Sequence, residues 1–104
     1  AMLEGRWAVV DAGPFDIGAR IASAAVSEGV HYLNLTEDIT STRRVRELAV
    51  DARSALIPQC GLAPGFISIV AYDLATRFDE LRDVRMRVGA LPKYPSNGLK
   101  YNLT

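Results

Sequence analysis

Apolar residues along this chain follow two alternating rhythms. Trp7-Ala8-Val9-Val10-Asp11-Ala12 is a nearly continuous apolar run that stops at Gly13-Pro14, the pattern of a buried strand followed by a turn. Ile17, Ile21, Ala24, Ala25 and, on the flank, Val26 then recur at helical spacing until Gly29, which reads as the residue just past a helix C-terminus. A second short strand is predicted at Val30-His31-Tyr32-Leu33-Asn34-Leu35, opening into polar Thr36-Glu37-Asp38. Thr40 and Ser41 offer N-cap oxygens to a second helix, where Val45, Leu48, Ala49 and Ala52 form one stripe opposite Arg43, Arg44, Arg46, Glu47 and Asp51. The three arginines read as a solvated helix face.

Ala55 to Ile57 form the third predicted strand, and Pro58-Gln59-Cys60-Gly61-Leu62-Ala63-Pro64-Gly65 the turn after it. Ile67, Val70, Ala71, Leu74 and Phe78 then mark a third helix, expected to pack one side onto the sheet. Arg82 to Ala90 alternates polar and apolar residues with period two, which predicts a strand with one wet face. The alternation of strand and helix specifies an α/β fold, a partial Rossmann-like parallel sheet of order βαβαβα, followed by the first strand of a mixed α/β unit. Residues 1–80 read as the C-terminal half of a Rossmann-like domain and residues 81–104 as the start of a second domain.

Composition narrows the function classes. Twelve basic and twelve acidic residues leave no net charge, which removes the broad attraction that nucleic acid or an anionic membrane surface requires. No apolar run is long enough to span a bilayer. A lone Cys60 cannot form an internal disulfide, and the opening residues show no apolar stretch behind a basic start, so the cytoplasm is the expected location. With one histidine and one cysteine, no zinc cluster is expected. His31, at the start of its strand, reads as structural, and Cys60 as a small buried residue rather than a nucleophile.

The chemistry of an open parallel sheet concentrates beyond the carboxyl ends of its strands, where helix N-termini offer N–H groups to anions. Gly13, Pro14 and Phe15 follow the first strand, and Gly61, Leu62, Ala63, Pro64 and Gly65 follow the third. Glycine in such turns allows close backbone approach. Nothing reads G-x-G-x-x-G after a strand, because Gly13-Pro14-Phe15 has phenylalanine at the second glycine position, so the pattern fits the second half of a dinucleotide-binding domain. At the second strand's outlet a carboxylate such as Glu37 would bind a substrate ammonium or move a proton, while Thr36, Glu37 and Asp38 are equally suited to capping the next helix.

The strings GVHYLNLTED at Gly29 to Asp38, PQCGLAPGF at Pro58 to Phe66 and VGALPKYPSNGLKYNLT at Val88 to Thr104, in that order, resemble the saccharopine dehydrogenase family, specifically its bacterial and archaeal NAD(P)-dependent members. The resemblance runs from about Val9 to Thr104. It implies an oxidoreductase acting on a C–N bond of an amino acid, with NAD or NADP as hydride carrier and a homodimer in the full-length parent. Under it, Gly13, Pro14, Phe15 and Gly61 to Gly65 face the cofactor, Glu37 and Asn34 are the catalytic candidates, and Tyr32, Tyr94, Tyr101 and Asn102 line the amino-acid substrate pocket. The family usually carries aspartate where this chain has Asn34, which keeps an acceptor oxygen but loses the charge, so Glu37 is the substitute carboxylate. The chain is expected to be an inactive fragment, lacking the phosphate-binding turn. The alternative is a small α/β interaction or assembly module without catalysis.

Overall fold

The computed structural model of the chain describes residues 2–89, 93–96 and 98. Three strands and three helices alternate as β1 (Ala8–Asp11), α1 (Phe15–Glu28), β2 (His31–Asn34), α2 (Ile39–Ala49), β3 (Leu56–Ile57) and α3 (Phe66–Ala75). The strands form one parallel sheet in the order β1-β2-β3. The α/β class and the βαβαβα order expected from the residue pattern are therefore present, with strands slightly shorter than the apolar runs that encode them.

Alternation along each strand separates two faces of the sheet. The row Val9, Tyr32 and Leu56 is in register across the three strands and packs with Ala22 and Ala25 of α1 and Val45 of α2. Small side chains on α1 let that helix approach closely: Gly18, Ala22 and Ala25 are its buried positions. The next row, Val10, Leu33 and Ile57, points the other way, and Val10 and Ile57 are 63% and 48% exposed. One face of the sheet is covered by helices and the other is open among the described residues.

Local chemistry sets the helix ends. Gly29 adopts φ 68°, the left-handed conformation that closes a helix without a Cβ penalty, and Val30 N–H bonds back to the Ala25 carbonyl at 2.8 Å. The cap of α2 is Asp38, two residues before Thr40: its Oδ2 accepts from Ser41 N–H at 2.6 Å, which holds the Asp38 carboxyl below the usual carboxylate range. Thr40 and Ser41 instead lie inside the first turn, and Ser41 Oγ donates to the Phe15 carbonyl, tying α2 to the start of α1.

Two further expectations are corrected. Helix α3 does not bury an apolar stripe on the sheet: it has no buried residue, and Ile67, Ala71 and Ala75 are only half-buried. A groove of about 330 Å³ runs between α3 and the segment that follows, lined by Val70, Leu74, Phe78, Leu81, Val84 and Met86 among others. The strand expected at Arg82–Ala90 is likewise not formed over residues 82–89, which carry no helix or strand and are exposed. Period-two patterning makes a strand only when a neighbouring ladder accepts its N–H and C=O groups, and no described strand lies alongside to do so. No helix among the described residues is long and apolar enough to cross a membrane.

Candidate functional site

Because the strands are parallel, their carboxyl ends emerge along one edge of the sheet. The turn after β1 and the outlet of β2 enclose a cleft of about 280 Å³, lined by Asp11, Ala12, Gly13, Pro14, Phe15, Leu35, Thr36 and Glu37. Gly13, Pro14, Phe15 and Glu37, which the sequence singles out separately, are thus brought to one place. Of the three polar residues at the β2 outlet, Asp38 caps α2 and Thr36 Oγ1 accepts from Asp38 N–H at 3.1 Å. Glu37 stays exposed, and no other described side chain bonds or pairs with its carboxylate.

The loop after β3 forms a second, wider crevice of about 590 Å³, lined by Ile57 to Gly61, Pro64 to Phe66, Ser68 and Ile69, with no charged side chain. Its two glycines are required by close packing of backbone on backbone. A Cβ on Gly61 would fall 2.6 Å from the Leu35 carbonyl, and one on Gly65, at φ 130°, would collide with the Gly61 carbonyl. Leu35 also lines the first cleft, so this close backbone approach lies between the two crevices. Leu62 and Ala63 are exposed at the loop tip, and Ala63-Pro64 is a cis peptide.

The loop also disposes of the α3 N-terminus. Phe66 N–H donates to the Gly61 carbonyl at 2.8 Å and Ile67 N–H to the Leu62 carbonyl at 3.0 Å, so the amides expected to meet an anion are bonded internally. Helix α1 has Pro14 as its N-cap with no side-chain cap, and its first turn carries Asp16. Neither crevice is lined by lysine or arginine.

Behind these surfaces lies a polar chain that sequence reasoning only partly anticipated. The Tyr32 hydroxyl donates to Asp11 Oδ2 at 2.8 Å, with the Gly18 carbonyl 3.3 Å away as a second acceptor. Asn34 Nδ2 donates to the Tyr32 oxygen at 3.3 Å, and Asn34 Oδ1 accepts from Gln59 N–H at 2.9 Å. Asp11 Oδ1 accepts from Gly13 N–H at 3.0 Å. Burial, and secondarily the Asp11 carboxylate, pushes the Tyr32 phenol up to about 12, against an opposing hydrogen bond from Asn34. Tyr32 and Asn34, expected at the reacting centre, are both buried, with their polar atoms committed to this chain. Asp11 was missed; its signal was a single carboxylate closing an apolar strand, on the face that Tyr32 and Asn34 share by register.

The remaining candidates are dispersed. His31 is structural: its Nδ1 accepts from Ala55 N–H at 2.9 Å and its ring packs tilted against Trp7, centroids 4.8 Å apart. Cys60 is half-buried, its Sγ directed to the Ile57 and Pro58 carbonyls, while its N–H donates to the Asn34 carbonyl at 2.7 Å. Tyr94 is 83% exposed and lines neither crevice, and Tyr101 and Asn102 lie outside the described residues. Arg44 pairs with Glu47 on the exposed side of α2, a solvated face. Among the described residues no three of His, Cys, Asp and Glu converge as metal ligands do. Compared with known proteins, the chain matches no protein-family model and no solved structure.

Proposed function

We propose that this chain is part of a saccharopine dehydrogenase-like oxidoreductase that uses NAD or NADP to move hydride to or from the carbon bearing nitrogen in an amino acid. The observation that carries the reading is the convergence of the Gly13 turn, the Gly61 to Gly65 loop and the exposed Glu37 at one edge of a parallel sheet. That edge is where such sheets bind ligands. The fit to a dinucleotide is one-sided. Uncharged backbone surface in the second crevice suits a nicotinamide ribose, whereas a pyrophosphate would find no cation and would meet Asp16 on α1. Bound there, the cofactor would supply the hydride; the chain's own contribution would be to exclude water with Leu35 and Phe66 and to present Glu37 to the substrate nitrogen. Glu37 is exposed enough to accept an ammonium group or take its proton. Asn34 supports the loop from behind rather than meeting substrate.

Titrating the purified chain with NADH and with NADPH tests this division. The expected result is no saturable tight binding and no turnover of an imine substrate, because neither crevice is lined by a cation that would hold a pyrophosphate. Reduction of an imine by this chain alone would overturn the fragment reading. Native coding DNA that lacked an upstream strand followed by G-x-G-x-x-G would overturn the dehydrogenase reading itself.

A second reading is favoured by a separate observation. Eight of the ten residues of α3 are apolar, yet none is buried. An assembly module, pairing through α3 and the open sheet face, would cover them. It would show concentration-dependent association in sedimentation that NAD(P)H leaves unchanged.

A further inference from the structure

The polar chain through Tyr32 has only one self-consistent direction. A carboxylate can only accept, so Tyr32 gives its single proton to Asp11; the phenol oxygen must then accept, so Asn34 presents Nδ2 to it. That orientation leaves Asn34 Oδ1 facing the loop, where it accepts from Gln59 N–H. Each end therefore grips the backbone of a different turn: Gly13 on the β1 side and Gln59 on the β3 side. Gln59 stands at φ 62°, a left-handed conformation unfavourable for a non-glycine residue. It is held there by the Asn34 amide and the adjacent Cys60 N–H to Asn34 C=O bond. Gly18 leaves room for the whole arrangement, since a Cβ there would lie 3.1 Å from Asp11 Oδ2 and 3.4 Å from the Tyr32 oxygen.

We propose that Tyr32 is a positioning residue whose hydroxyl, acting through Asp11 and Asn34, locks the Gly13 turn and the Gln59 turn into one relative geometry. Its functional meaning rests on the reading of those turns as ligand-facing; the mechanical link does not. A tyrosine that merely fills the core would contribute through its ring, and phenylalanine would replace it without consequence for either turn. The inference also explains why asparagine, not aspartate, suits position 34 here. A second carboxylate would have no proton to give the phenol oxygen and would compete with Asp11 for the one proton available.

The test is amide NMR on the labelled chain without nucleotide, comparing wild type with Tyr32→Phe, Asn34→Asp and Val30→Ala. Tyr32→Phe is expected to shift the Gly13 and Gln59 resonances together and to lower exchange protection at Gln59 about tenfold relative to α1 amides. Asn34→Asp keeps an acceptor for Gln59 N–H but removes the donor to Tyr32, so its distinguishing effect is a shift at Gly13, across the strand pair. Val30→Ala shrinks the same core and should weaken protection broadly without singling out the two turns. Unmoved Gly13 and Gln59 amides in Tyr32→Phe would overturn the proposal. Should that variant fail to fold, an Asn34→Asp effect confined to the loop after β3 would overturn it equally, and a shift at Gly13 would support it. Since no cofactor enters the experiment, its failure is distinct from failure of the dehydrogenase reading.

Discussion

Helices α2 and α3 have opposite compositions and opposite fates. Most of α2 is polar or charged, yet Val45 is fully buried and Leu48 packs against the core; α3 is apolar at eight of ten positions and has no fully buried residue. Hydrophobicity therefore does not decide burial here, and the presence of an opposing surface does. Helix α2 has one, because Ser41 bonds to the start of α1 and β3 lies beneath the helix. Helix α3 follows the last strand of the sheet and, among the described residues, lies beside its own preceding loop and the irregular 81–87 segment, neither of which buries it. Parallel sheets are normally covered on both faces, and the exposed Val10 and Ile57 show that, among the described residues, nothing covers the second face.

The contrast is broken most severely at Val45. Val45→Asp would place an unpaired carboxylate at a site with no exposure, and a loss of about 4 kcal/mol or more is expected in urea unfolding, enough to abolish the cooperative transition of a small domain. Retention of a wild-type midpoint would mean that the packed half is not what holds the molecule together.

An intermediate effect is expected at Tyr32. Removing the hydroxyl in Tyr32→Phe leaves Asp11 and Asn34 short of a partner inside the protein, a cost of about 1–3 kcal/mol at neutral pH. The same group predicts a pH dependence. Burial pushes its phenol up to about 12 in the fold from an ordinary value of 10.0, so its stabilisation is complete below pH 10 and is lost as pH rises through 12. Wild type should lose roughly 2–3 kcal/mol more than Tyr32→Phe across that interval. Parallel alkaline unfolding curves for the two proteins would show that the phenol is not held in its protonated form by the fold.

The smallest effect belongs to α3. Ile69 is 70% exposed, so Ile69→Asp should change the unfolding free energy of the chain by less than about 0.5 kcal/mol, while reducing any self-association seen by sedimentation. A loss comparable to that at Val45 would mean that α3 is packed in solution and that the comparison fails.

The α/β class, the three strands and the Gly29 helix stop were readable because each depends on local information: a continuous apolar run, a 3.6-residue period, a glycine where φ must be positive. The two glycine loops were readable as turns for the same reason. Asp38 as the cap of α2 was less evident, since Thr36, Asp38, Thr40 and Ser41 all carry suitable oxygens and only the path of the chain selects one. The strand expected over Arg82–Ala90 shows the limit of periodicity, which encodes two faces but supplies no neighbour to pair with.

What the residues determine by themselves is thus the list of elements and the places where the chain must turn, because propensity, apolar spacing and glycine conformation act within a few residues. Only the tertiary structure decided that Tyr32 and Asn34 turn inward to join Asp11, that of the polar residues Thr36, Glu37 and Asp38 it is Glu37 that stays exposed, and that the amides of α3 are satisfied by its own loop. Those outcomes depend on strand register and on which backbone groups meet across the sheet, distances that no local pattern carries.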